Sequence, residues 1–374
     1  MNDEELQQMY TNMTPDAQTH QLEVQPNVDA ECGTYEGNVV KDKAIAFVAA
    51  LSLTGLVVVY GTVDWNGDTG ATYAAQYVAP RIIESVPQPP EHPHPFNQVG
   101  IQARSAAIYD INNERFLYAK SADTQRPLAS LTKLMTALLV VESTDINKNI
   151  AISPNAIHTE GDSGLFANES WKLKDLVSFT MLTSSNDGAD ALATAVGSLW
   201  SSTPAVSDDT KVNSFVRKMN ARAGELGLNE TEYRNATGLD VSTGTTGALG
   251  SAADMSLLMA HIWENAPAAI AGTDEIAVLF TSEDGFVHEA ENTNEHVYTV
   301  PGLMGSKTGY TDLAGGNLAI VYDAGLNHPI VVVVLGSTLE GRFDDVDTLV
   351  EATHEYVVSG WYEYEMVAGS TPRS

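Results

Sequence analysis

Residues 129–139 read "ASLTKLMTALL" and place two reactive side chains at the start of an apolar helix. From Leu134 onward the apolar residues recur at a spacing of three to four, which predicts a buried helix. Ser130 and Lys133 lie three residues apart, so they share one face of its first turn. A helix start favours developing negative charge, and a partly desolvated amine can take a proton from a serine. The pair fits a nucleophile with its base, and equally an N-cap serine followed by a surface lysine.

A second polar group interrupts the helical pattern in "MLTSSNDGADALA" (181–193). Ser184, Ser185 and Asn186 fall at the break between two helical stretches, where side chains can point into a cleft. A hydroxyl here could shuttle a proton, and the amide could hold a substrate carbonyl. Capping of the following helix would explain the same residues.

A third group lies in "GLMGSKTGYT" (302–311), on a predicted strand. Lys307 and Thr308 offer an ammonium and a hydroxyl, which suit a carboxylate. Gly309 follows them, and a glycine in a strand often marks the close approach of another backbone or a ligand. The alternative is a strand lysine beside a turn.

These three motifs, in this order, are the signature of active-site-serine penicillin-recognising enzymes. The chain from about 104 to 360 resembles the D-alanyl-D-alanine carboxypeptidases, the low-molecular-mass penicillin-binding proteins. The resemblance is carried by "LASLTKLMTALLV", "LTSSNDGADALA", "FVRKMNARAGELGLNETEYRNATGLD" and "GLMGSKTGYTDLAGGNLA".

The resemblance implies a catalytic set. Ser130 would be the acylated nucleophile and Lys133 its general base, while Ser184 and Asn186 would assist proton transfer and amide binding. The backbone N–H groups of Ser130 and Tyr310 would form the oxyanion hole.

It also implies a substrate-binding set. Lys307 and Thr308, with Gly309 and Tyr310 next to them, would face the terminal carboxylate of the substrate. Arg342 would help to bind that carboxylate, although acidic neighbours in "LEGRFDD" would also explain a surface ion pair.

The reaction implied is removal of the terminal D-alanine from peptidoglycan stem peptides, with β-lactams as covalent inhibitors and no metal or organic cofactor. Three alternatives remain: a D,D-endopeptidase, a serine β-lactamase, and a non-catalytic peptidoglycan-binding module. A β-lactamase of the commonest class needs a glutamate on a loop, whereas Glu230 and Glu232 are expected to be surface residues. The trypsin-like "GDSG" (161–164) has no matching histidine segment or disulfide framework and is interpreted as a loop.

The charge balance excludes one class of partner. Acidic residues number 49 against 19 basic ones, giving a formal net charge of -30. Such a surface repels phosphates, so nucleic-acid binding is not expected.

An uncharged run of 20 residues, 44–63, is long enough to cross roughly 30 Å of hydrocarbon as a transmembrane helix. Lys41 and Lys43 precede it, whereas Asp64 and Asp68 follow it, which predicts a cytoplasmic N-terminus. The protein is therefore expected to be a single-pass protein of the bacterial cell membrane, with a cleaved signal peptide as the alternative. The expected segments are an acidic disordered tail (1–43), an anchor (44–63), a Pro-rich linker (64–98), the catalytic domain (99–362) and a C-terminal tail (363–374).

The order of the predicted elements indicates the fold class. Strand patterns occupy both ends of the catalytic region, around 105–120 and after 275, and helical patterns fill 170–265. We expect an α/β (α+β) domain of the β-lactamase/transpeptidase-like kind. Its central sheet would be mainly antiparallel, with helices on both faces and an inserted helical subdomain.

Overall fold

The computed structural model describes residues 48–52, 55–59, 88–200, 206–325 and 327–368. The chain divides into two units between Ser85 and Val86, and each is described by itself. The predicted tail (1–43), linker residues 64–87 and residues 369–374 lie outside the described residues.

The first unit contains a β-hairpin. Strands β1 (Val48–Ser52) and β2 (Gly55–Val59) pair antiparallel, with Ala50 opposite Val57. This differs from the helix expected over 44–63. Within the described ranges, no helix combines the length and apolarity needed to cross a membrane.

The second unit contains the following elements. Its strands are β3 (Ser105–Asp110), β4 (Arg115–Lys120), β5 (Arg126–Pro127), β6 (Asn149–Ala151), β7 (Ser170–Lys172), β8 (Glu232–Tyr233), β9 (Ala248–Gly250), β10 (Ala277–Thr281), β11 (Val287–Glu291), β12 (Leu303–Thr311), β13 (Gly315–Asp323) and β14 (Pro329–Ser337). Its helices are α1 (Thr132–Ser143), α2 (Leu173–Thr183), α3 (Asn186–Gly197), α4 (Asp208–Glu225), α5 (Ala252–Asn265), α6 (Gly341–Val358) and α7 (Trp361–Ala368).

The central sheet joins the two ends of this unit. Its five strands run in the order β12-β13-β14-β3-β4, and every neighbouring pair is antiparallel. The link is the β14–β3 pair, in which Val333 lies opposite Ala107. The antiparallel sheet with an inserted helical region is confirmed.

Alternation along the strands gives the sheet two apolar faces. Val331 and Val333 of β14 belong to the core beneath α1–α5, whereas Val332 and Val334 belong to the core beneath α6 and α7. Because successive side chains of a strand point to opposite faces, a strand buried on both sides reads as a continuous apolar run. "PIVVVVLGS" is such a run.

Two predicted segment boundaries are corrected by the structure. Residues 94–96, expected in the linker, are buried, and Phe96 stacks on Tyr356 of α6 with ring centroids 5.1 Å apart. Helix α7 extends into the expected C-terminal tail, and Trp361 packs beside His94. The prolines of "QPPEHPHPF" indicated an extended stalk, but Phe96, its one large apolar residue, belongs to the core beneath α6 and α7.

Candidate active site

The nucleophile candidate lies on a 3-10 turn that leads into α1. The turn spans Ala129–Leu131, and the backbone of Ala129 is left-handed, with φ at 48°. Lys133 follows in the first turn of α1 and is completely buried. Its Nζ lies 2.9 Å from Ser130 Oγ, so the two residues are in the contact that proton transfer requires.

Two neutral acceptors complete the surroundings of this amine. Lys133 Nζ donates to Asn186 Oδ1 at 2.7 Å and to the Thr237 carbonyl at 2.8 Å. Burial lowers the pKa of Lys133 to about 7, against an opposing effect of Asp190. About half of the amine is then neutral at pH 7, against roughly one molecule in three thousand for an ordinary lysine. The surface-lysine alternative is wrong for Lys133.

The second motif is positioned by the junction of α2 and α3. Ser184 ends α2 in a left-handed conformation, with φ at 58°. Ser185 caps α3 and accepts a hydrogen bond from Gly188 N at 2.8 Å, so the capping explanation holds for this residue. Asn186 reaches Lys133, whereas no hydrogen bond joins Ser184 Oγ to Ser130 or Lys133 in the described part of the chain.

The "GDSG" segment is a loop, as interpreted from the sequence, and it borders this motif. Glu160 O accepts from Asn186 Nδ2 at 2.8 Å, and Ser163 Oγ lies 2.5 Å from Ser185 Oγ. Ser163 N also donates to Asp187 at 3.3 Å. The loop therefore holds the start of α3 through contacts with Asn186, Ser185 and Asp187.

The third motif lies on β12, beside the nucleophile turn. Lys307 is buried and donates to Thr308 O at 2.9 Å. Thr308 Oγ1 lies 2.6 Å from Thr293 Oγ1. A Cβ on Gly309 would stand 3.0 Å from both Leu128 O and Ser130 N, so only glycine lets the strand run this close to the nucleophile.

Arg342 lies behind the same strand, near the start of α6. It is buried, and its Nη1 donates to Gly309 O at 3.1 Å. Its Nε has no hydrogen-bond partner, and no carboxylate forms an ion pair with it among the residues described. The surface ion-pair explanation is therefore wrong. Tyr310, next along β12, is 47% exposed.

Cationic groups thus collect in a chain of strongly negative charge. Burial lowers the pKa of Lys307 well below its ordinary value, and the nearby Lys133 and Arg342 charges act in the same direction. Burial also lowers the pKa of Arg342. An anionic group entering between these residues would relieve their repulsion, which suits a substrate carboxylate.

Two site residues were missed from the sequence. Thr237 acts through its backbone carbonyl, which carries no side-chain signal. Its position depends on Gly238, whose φ is 86° and which has no room for a Cβ against Ala129 O. Thr293 precedes β12 in a loop with no motif of its own.

The glutamates considered for β-lactamase chemistry lie away from Ser130. Glu232 is exposed and pairs with Arg234 at 3.1 Å. Glu230 is half-buried, and its backbone N–H donates to Asp254. Neither side chain makes a hydrogen bond to the Ser130–Lys133 pair.

A serine hydroxyl against a buried amine, beside a lysine-bearing strand, defines the class of active-site-serine acyl-transfer enzymes that use lysine in place of histidine. Residues 91–338 match the D-alanyl-D-alanine carboxypeptidase family, and the chain belongs to that family.

This chain is also similar to individual proteins and to a solved structure. A D-alanyl-D-alanine carboxypeptidase of Bacillus subtilis is 28% identical over 263 residues, which cover 68% of this chain and 63% of that protein. A D-alanyl-D-alanine endopeptidase of Escherichia coli is 28% identical over 244 residues, covering 64% and 73%. The ampicillin-bound penicillin-binding protein of Listeria monocytogenes superposes with a TM-score of 0.55 at 28% identity, covering 68% and 98%. The matched part of the chain thus spans less than two thirds of the Bacillus relative.

Proposed function

We propose that this protein is a serine D-alanyl-D-alanine carboxypeptidase that removes the terminal D-alanine from peptidoglycan stem peptides. The observation that carries the proposal is the 2.9 Å contact between Ser130 Oγ and a fully buried Lys133 amine. Family membership supplies the substrate class.

Acylation follows from this contact. The neutral Lys133 amine takes the Ser130 proton while Oγ attacks the carbonyl of the penultimate D-alanine. The N–H groups of Ser130 and Tyr310 stabilise the oxyanion. As the intermediate collapses, the C–N bond breaks and the proton passes from Lys133 to the leaving amine, with Ser184 as the proposed relay. Free D-alanine and a Ser130 ester result.

Binding of the peptide uses the cations around β12. Lys307, Thr308 and Arg342 receive the terminal carboxylate, and Asn186 holds a substrate amide. Water then cleaves the ester and restores Ser130. β-Lactams carry a carboxylate and a reactive amide, so they acylate the same serine.

Release of D-alanine tests this activity directly. The purified protein is incubated with an N-acylated peptide ending in D-Ala-D-Ala, and free D-alanine is measured against time. We expect release that a prior incubation with penicillin abolishes. Absence of release together with absence of penicillin labelling would leave only the non-catalytic binding module.

An endopeptidase activity is the second candidate, supported by the similarity to the Escherichia coli endopeptidase. Muropeptide mass spectrometry separates the two activities. A carboxypeptidase lowers the mass of monomers by one alanine residue, whereas an endopeptidase converts cross-linked dimers to monomers.

We also propose a membrane anchor over 44–63, with the N-terminus in the cytoplasm. The support is the absence of charge over 20 residues and the position of Lys41 and Lys43 before them. An anchor over this segment requires that a helix replace the β1–β2 hairpin in the bilayer, because a helix satisfies its own backbone there and an isolated hairpin leaves open edges.

The single cysteine allows this topology to be tested. Cys32 precedes the segment, so a membrane-impermeant maleimide should label it only after cells are permeabilised. A Cys32→Ser, Lys174→Cys variant, with the thiol at an exposed catalytic-domain position, should be labelled in intact cells. Labelling of Cys32 in intact cells would contradict the anchor.

A further inference from the structure

Helix α3 carries a carboxylate on the same face as Asn186. Asp190 follows Asn186 by four residues, so the two side chains are neighbours one turn apart. Asn186 Oδ1 accepts the hydrogen bond from Lys133 Nζ at 2.7 Å. The face of α3 that meets the base therefore continues into Asp190.

A hydrogen bond from outside the helix fixes this carboxylate. Thr159 Oγ1 donates to Asp190 Oδ2 at 2.5 Å. The backbone carbonyl of Glu160, the residue after Thr159, accepts a hydrogen bond from Asn186 Nδ2. One short segment, 159–160, thus holds both side chains. The carboxylate also borders a cavity of about 520 Å³. The other residues that line this cavity include Asn155, His158, Thr159, Thr194, Asp208 and Asp209.

The other acidic group on this turn has a different partner. Asp187 is rotated by about 100° from Asn186 on an α-helix, which carries it away from Lys133. It accepts from Ser163 N at 3.3 Å. Asp190 is the acidic residue whose charge acts on Lys133, and it works against the effect of burial on that amine.

We propose that Asp190 is a positioning residue for the Lys133 base. Thr159 holds its carboxylate one helical turn from Asn186, the residue that contacts Lys133, and from there its charge stabilises the ammonium that forms when the amine accepts the Ser130 proton. Asp190 acts through its charge and does not itself accept the Ser130 proton. The inference rests on the proposed function, because it assigns a role only if Lys133 is the base.

Other charged groups lie near Lys133 and Asp190, and the experiment must distinguish their effects from that of Asp190. Lys307 on β12 is the nearby cation that shares the site with Lys133. The charges that act on Asp190 are those of Lys133 and Asp187, and the titratable groups that line the same cavity are His158, Asp208 and Asp209.

The sign of the expected effect follows from the charge. Removing a negative charge makes the ammonium less stable, so Lys133 loses its proton at lower pH. The amine is also a weaker base, so acylation at high pH is slower. Purely structural support from Asp190 would lower the rate at every pH without moving the midpoint.

The experiment measures the second-order acylation rate by a fluorescent penicillin between pH 5 and 9. In Asp190→Asn we expect the pH–rate profile to change in two ways. The pH at which the acylation rate is half-maximal should move to lower pH, and the maximal rate at high pH should be about three- to tenfold lower. Asp190→Glu should return the midpoint and the maximal rate toward the wild-type values. The matched control is Asp209→Asn, which removes an exposed carboxylate from the rim of the same cavity and should leave the profile unmoved.

Thr159→Val supplies a second variant should Asp190→Asn fail to fold. Burial raises the pKa of Asp190 and the Thr159 hydrogen bond opposes that rise, so loss of this bond should shift the midpoint in the same direction by less. An unmoved or raised midpoint in Asp190→Asn, or an equal shift in Asp209→Asn, would overturn the proposal. Failure of wild-type labelling would instead reject the proposed function.

Discussion

The catalytic region and the rear layer of the domain bury ionisable groups in opposite ways. In the rear layer, which we define as residues 94–96 with residues 343–358 of α6 and with α7, His94 faces Glu365 at 3.2 Å and Tyr356 donates to the same carboxylate at 2.9 Å. At the site, Lys133 and Lys307 are buried just as deeply, yet their hydrogen bonds go to neutral oxygens.

This difference distinguishes buried groups that serve the chemistry from buried groups that serve stability. A buried ionisable group that hydrogen-bonds another ionisable group is satisfied within the core, whereas a buried amine without a carboxylate partner is driven toward its neutral form. At Lys133 this costs stability and supplies a base near neutral pH, and at Lys307 it leaves a place for the counter-charge of a substrate carboxylate. Substitutions at the site should therefore change the chemistry, and substitutions in the rear layer should change stability.

Ser130→Ala should have the largest effect on the chemistry. We expect no D-alanine release and no penicillin labelling, because the acyl group has no acceptor. The fold should persist, since only one half-buried oxygen is removed. Thermal unfolding within a few degrees of the wild type would establish this, and a labelled variant would contradict the assignment.

Lys133→Ala should come next. Loss of a general base slows proton transfer by about 10²- to 10⁴-fold, so acylation should fall by that factor at pH 7. Stopped-flow or manual quenching with a fluorescent penicillin measures the rate. A control at the exposed Lys174, also changed to alanine, should acylate normally. Equal rates in the two variants would remove the distinction between buried and exposed amines.

Arg342→Gln should have a smaller effect. Its free guanidinium Nε and its bond to Gly309 O place it at the proposed carboxylate end of the cleft. Loss of one charge-assisted hydrogen bond, about 1.5–3 kcal/mol, corresponds to a ten- to hundredfold drop in kcat/KM. The same change at Arg222, which pairs with Glu142 on the surface, should have little effect. A substrate amidated at its C-terminus should be insensitive to the Arg342 change.

Phe96→Ala should leave the acylation rate of the folded protein unchanged. Phe96 is 4% exposed and packs on Tyr118 and Tyr356, so its truncation should cost about 3–5 kcal/mol of the free energy of unfolding. Denaturant unfolding measures this, with Phe166→Ala, at a position 51% exposed, as the control. Equal costs would show that residues 94–96 behave as the linker that their composition suggested.

The sequence predicted those parts of the site whose chemistry lies in side chains at fixed spacing. Ser130 and Lys133 share a helical turn, and the continuous apolar run in "PIVVVVLGS" is typical of a strand buried on both faces. The Thr237 carbonyl could not be predicted, because any residue carries one and only the fold brings it to Lys133. Asp190 carried a signal, its four-residue spacing from Asn186, but the partner that fixes it lies in a distant loop.

The domain boundary was predicted wrongly from composition for a related reason. The prolines around His94 and Phe96 indicate an extended chain, whereas residues 95–98 form a 3-10 turn that follows the extended His94. Burial depends on whether a distant surface accepts the aromatic ring, and that surface is formed by α6 and α7 some 260 residues later.

The most direct test of the central claim is to locate the acyl group. The protein is reacted with penicillin at pH 7, digested, and the modified peptide is sequenced by mass spectrometry. We predict one penicilloyl group, on Ser130, formed at a rate that falls below pH 7 as Lys133 becomes protonated. An adduct on another residue, or a rate independent of pH through this range, would contradict the assignment of Ser130 and Lys133 as nucleophile and base.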